Sequence, residues 1–106
     1  MNKLTQYGHP FQTKALAALV TDRDFLQQSS DIVSPDYFDS DASKWIVRKT
    51  LKYFDEYHTT PTMEVFKVEV EGIQNEVQAV AVKEQLKETY KSSQVKDLEI
   101  KHLKTH

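Results

Sequence analysis

Apolar residues along this chain recur mostly at helical spacing. Residues 1–8, MNKLTQYG, show no period and read as a flexible arm. From His9 the pattern turns helical. Phe11, Ala15, Ala18, Leu19 and Asp22 fall on neighbouring turns, and Leu16 and Val20 widen the apolar stripe. Pro10 suits a first helical position, where its missing N–H costs nothing. The stretch TDRDFLQQSSDIV predicts a short second helix, with Asp22 as its N-cap and Phe25, Leu26 and Ile32 as its buried side.

SPDYFDSD is the connection that follows. Ser34-Pro35-Asp36 can start a single helical turn, and Asp39-Ser40-Asp41 can cap the next element. That element, ASKWIVRKTLKYFDEYH, has the clearest helical pattern in the chain. Ile46, Thr50, Tyr53 and Tyr57 share a face, broadened by Trp45, Val47, Leu51 and Phe54. Lys44, Arg48 and Lys52 run down the opposite side at i, i+4 spacing.

TTPTMEVFKVEVEGI fits two periods. Phe66, Val68 and Val70 alternate with charges as in a half-buried strand. Met63, Phe66, Val70 and Ile73 instead fit a helix with Thr62 as N-cap, Glu64 in the first turn and Gly72 near the end. Residues 75–91 are helical, with Ala79, Val82, Leu86 and Tyr90 in one stripe and Glu84–Lys87 and Glu88–Lys91 as i, i+3 pairs. KSSQ reads as a break before a final amphipathic piece, VKDLEIKHLKTH. The resulting organisation is an arm over 1–8, one helical domain over 9–92, and the start of a following helix or hairpin over 93–106.

The totals limit the chemistry. With 106 residues, 39% hydrophobic and 28% charged content, and a net charge of −2, this is one domain's worth of ordinary globular sequence. The charge is too small and too evenly spread for a dedicated nucleic-acid-binding face. No long apolar run points to a membrane span. The chain has no cysteine, which excludes disulfides and thiolate metal sites and fits an intracellular setting. Gly8 and Gly72 are the only glycines. A phosphate-binding P-loop needs two, five residues apart, before Lys-Ser/Thr, and a dinucleotide fingerprint needs three. Neither fits here, so the chain itself is not expected to be an enzyme driven by nucleotide hydrolysis.

The order of features over residues 15–70 resembles the N-terminal domain of DnaB-type replicative helicases, most closely those of T-even-like bacteriophages. The corresponding pieces are a helix ending in Asp22, a short helix carrying Phe25, and the Tyr37-Phe38 loop. The helix from Ala42 to His58, the Thr60-Pro61-Thr62 turn and the segment from Met63 to Val70 follow. The match is made of packing positions rather than catalytic ones. It implies a helical 63–72 segment and an all-α fold, a small bundle of about five to six helices.

The resemblance further implies a non-catalytic domain whose parent is a hexameric, ATP-dependent DNA helicase of the replisome or primosome. Such a domain associates with sister subunits into a collar and docks the primase. ATP and Mg would belong to the motor domain, with no cofactor in this chain. DNA contact by the domain itself would be weak or absent, and the location would be the cytoplasm of a bacterial host. In the family a helical hairpin precedes the motor. DLEIKHLKTH looks like the beginning of that hairpin, so the chain would stop short of both. Two alternatives stand beside this reading: a free-standing small helical phage protein that binds replication machinery, and a weak single-stranded-DNA-binding module using Tyr37, Phe38, Trp45 and Arg48.

Candidate sites are few. Asp36, Asp39 and Asp41 superficially resemble a calcium loop, but an EF-hand starting at Asp39 would put Lys44 and Thr50 where glycine and glutamate are required. Acid/base work would need one carboxylate desolvated, whereas a Ser/Asp-rich turn keeps its acids hydrated. Capping is the better reading. Tyr37, Phe38 and Trp45 are flanked by aspartates rather than by cations, which favours core packing over base stacking. Lys44, Arg48 and Lys52 are candidate phosphate contacts, with Asp41, Asp55 and Glu56 close enough to pair with them instead. Glu99, His102 and His106 sit at i, i+3 and i+7, yet a di-metal bundle needs such a set twice, so no metal site is expected. Val95, Leu98, Ile100 and Leu103 place apolar groups on a short, highly charged piece. They either pack back onto the domain or form an interface with a second copy, as the family's hairpin does.

Overall fold

Short polar side chains set the helix boundaries, most of them where the local sequence predicts. Asp22, extended at φ −111°, accepts from the Phe25 N–H at 3.0 Å and starts a helix one residue after the previous one ends. Ser34 caps a 3₁₀ turn, Ser40 and Thr62 cap two longer helices through the N–H groups of Ser43 and Val65, and Asn75 accepts from the Gln78 N–H. The computed structural model describes the backbone of residues 9–104 and the side chains of residues 11–91. Its elements are α1 (His9–Thr21), α2 (Arg23–Ser29), the 3₁₀ turn (Pro35–Tyr37), α3 (Asp41–Tyr57), α4 (Met63–Glu71) and α5 (Glu76–Lys104). The fold is an all-α helical bundle.

The core lies where α1, α3 and α5 meet, with α2 on α1, the 3₁₀ turn on α3 and α4 on α5. Leu16, Leu19 and Val20 of α1, Ile46 and Val47 of α3, and Val82 and Leu86 of α5 form its centre. Phe38 from the loop, Phe66 from α4 and Leu26 from α2 close its sides. Removing each of these large side chains from water contributes about 1.5–3 kcal/mol, which outweighs any single surface pair.

The segment with two possible periods is helical. A strand would bury Phe66, Val68 and Val70 together. Phe66 and Val70, one turn apart, are indeed buried, but Val68 is 68% exposed. Thr62 supplies the cap and Gly72 the end, its N–H donating to the Glu69 carbonyl at 3.1 Å.

Three local expectations are corrected. The sequence pattern places Phe25 and Ile32 with Leu26 on the buried side of α2, yet only Leu26 is buried. A seven-residue helix docks through little more than one position, and Ile32 lies beyond its end, 71% exposed. Tyr57 extends the apolar face of α3 in sequence, but the last turn of that helix stands in solvent along with Asp55, Glu56 and His58. No break occurs at Lys91-Ser92-Ser93-Gln94: α5 continues to Lys104. Serine in a helix interior is only modestly unfavourable, and no glycine or proline occurs there to stop the turn.

Candidate functional site

The acid-rich stretch that opens α3 is a folding junction. Asp36, Asp39 and Asp41 are all exposed. Asp36 belongs to the 3₁₀ turn, Asp41 to the first turn of α3, and Ser40 alone is the cap of that helix. Asp39 is tied to α1. Its carboxylate accepts from Gln12 Nε2 at 3.1 Å, and its backbone N–H donates to Gln12 Oε1 at 3.0 Å. Gln12 is buried, so this pair satisfies an amide that would otherwise be desolvated without partners. The arrangement positions backbone, and it converges no set of acids. Among the described residues, no group of three His, Cys, Asp or Glu side chains could hold a metal ion.

The aromatic residues of the same stretch face inward. Phe38 is 1% exposed and Trp45 is 7% exposed, and Tyr37 packs half-buried against the same core. Stacking on a nucleobase needs an open ring face. Phe38 and Trp45 do not offer one.

Compared with protein-family models, curated proteins and solved structures, the chain has no match in any of the three.

Lys44, Arg48 and Lys52 lie in register along the solvent side of α3, with Lys44 half-buried and the other two exposed. The pairs foreseen with Asp41, Asp55 and Glu56 are not made among the described residues. At 3.6 residues per turn, Asp41 and Asp55 nevertheless share that arc of the helix and offset much of its charge. A phosphate backbone would meet a mixed strip here, not a basic one.

Lys49, which the sequence does not single out, makes the ion pair that matters for packing. Its Nζ lies 3.1 Å from Glu69 Oε2 on α4 and 5.5 Å from the centre of the Trp45 ring. The contact ties α3 to α4 and covers the indole. Its partners are 20 positions apart in the chain, too far for any local pattern to announce.

Buried polar groups elsewhere are mostly occupied within their own helices. Thr50 Oγ1 donates to the Ile46 carbonyl at 2.7 Å, Thr89 Oγ1 to the Gln85 carbonyl at 2.7 Å, and Gln85 Nε2 to Thr89 Oγ1 at 3.3 Å. Tyr90 is the exception: its hydroxyl is buried with no hydrogen-bond partner among the described residues, and burial raises its pKa above the usual tyrosine value. At the far end of α3, the Glu56 carboxylate raises the Tyr57 hydroxyl, and the Tyr57 ring packs against Tyr53 with centroids 4.5 Å apart.

His58 ends α3 in the left-handed conformation at φ 59°. Its N–H donates to the Phe54 carbonyl at 2.7 Å, and its own carbonyl accepts from Arg23 Nε at 2.9 Å. The link fastens the start of α2 to the end of α3. The histidine thus serves as a helix terminator.

The side chains of Val95, Leu98, Ile100 and Leu103, the candidate interface, lie outside the described residues, as do those of Glu99, His102 and His106. No helix among the described residues is long and apolar enough to cross a membrane.

Proposed function

We propose that this chain is the non-catalytic N-terminal domain of a phage-type replicative DNA helicase. It works by presenting surfaces to sister subunits and to the primase, with the ATP and Mg chemistry confined to a separate motor domain. The observation that carries this reading is the order of features from Asp22 to Val70. Most of its members are capping and packing residues: Asp22 and Thr62 begin helices, and Phe38, Trp45, Pro61, Phe66 and Val70 are buried, while Phe25 is exposed. Apart from the Tyr90 hydroxyl, the buried hydroxyls and amides spend their hydrogen bonds on helix backbone, on the Asp39 loop and on one another, which suits a docking module better than a reaction centre.

Two measurements test the proposal. The coding sequence beyond His106 is expected to continue to a Gly-x-x-x-x-Gly-Lys-Ser/Thr motif. The purified chain, mixed with the primase of the same genome and sized by light scattering, is expected to form a complex. A stop codon directly after His106 together with no complex would overturn the proposal.

A further inference from the structure

We draw no further inference here: the strongest candidate, the exposed apolar face of the first turns of α5 at Val77 and Val80, is a surface patch for which nothing in the structure shows what covers it.

Discussion

Gln12 and Asp39, 27 positions apart, face each other in a two-bond clasp that fixes the first helix against the entry to the third. The side-chain amide of one reads both the backbone and the carboxylate of the other. Gln12→Ala removes both bonds and leaves a gap in a buried position. The expected loss is about 1–2 kcal/mol in urea unfolding. Gln12→Glu keeps an acceptor for the Asp39 N–H but sets two carboxylates side by side. Its loss should shrink in mild acid, when one of them takes a proton. A Gln12→Ala variant as stable as the parent would show the clasp to be incidental.

Trp45 is the only tryptophan of the chain, and its burial makes it a reporter. Native fluorescence should be blue-shifted and poorly accessible to a soluble quencher. Adding a single-stranded oligonucleotide at low salt should leave it unchanged. Quenching that disappears as salt is raised would instead revive a base-stacking role. Phe38→Ala should cost about 3–5 kcal/mol, the usual range for deleting a fully buried ring.

Lys49 and Glu69 are both partly exposed, so their ion pair is screened by water. Glu69→Gln should therefore cost well under about 1 kcal/mol, and less still in high salt. Lys49→Ala should cost somewhat more, since it also uncovers the Trp45 ring. Arg48→Ala and Lys52→Ala, with no ion pair to lose, should fall within about 0.5 kcal/mol of the parent. A double-mutant cycle across Lys49 and Glu69 isolates the pair; zero coupling would remove it from the account.

The left-handed backbone of His58 strains any residue with a Cβ. His58→Gly should relieve that strain and stabilise the protein by up to about 1 kcal/mol, reduced by loss of the edge-on contact with Phe54 at 6.0 Å. His58→Val, branched at Cβ, should destabilise. Thermal melts of the two variants must move in opposite directions if the terminator role is right.

The sign of the pH dependence at Tyr90 follows from its raised pKa. In the unfolded chain the hydroxyl ionises near its ordinary value of 10.0; folded, it keeps its proton to higher pH. The folded state then binds more protons in that range, so stability is independent of this group below the unfolded value and falls as pH rises toward the folded one. Tyr57 shifts in the same direction, so the test is the difference made by Tyr90→Phe. That variant should flatten the alkaline decline in urea stability. At neutral pH it should be as stable as the parent or slightly more, because it removes a buried hydroxyl without a partner.

Most helix starts were legible locally because capping is a matter of three or four adjacent residues. Asp22, Ser34 and Thr62 announce themselves, and Ser40 stands among the residues named for its helix. The stripes of α3 and α5 were equally legible in Ile46, Thr50, Val82 and Leu86, whose spacing defines a single buried face. The Gln12–Asp39 clasp, the Lys49–Glu69 pair and the unpartnered Tyr90 hydroxyl were not. Each depends on which helices become neighbours. The exposure of Phe25 and Ile32 was hidden for the same reason, since an apolar residue is buried only if another element arrives to cover it.

By itself, the sequence determined capped helices on either side of the 63–71 segment and left no glycine pattern for a nucleotide-binding loop, because those properties rest on local hydrogen bonding and on glycine count. Only the tertiary structure decided between helix and strand at 63–71, by burying Phe66 and Val70 while leaving Val68 in solvent. It alone turned the acid-and-aromatic stretch into a junction. Burial is a relation between distant parts of the chain, and no window of neighbouring residues contains it.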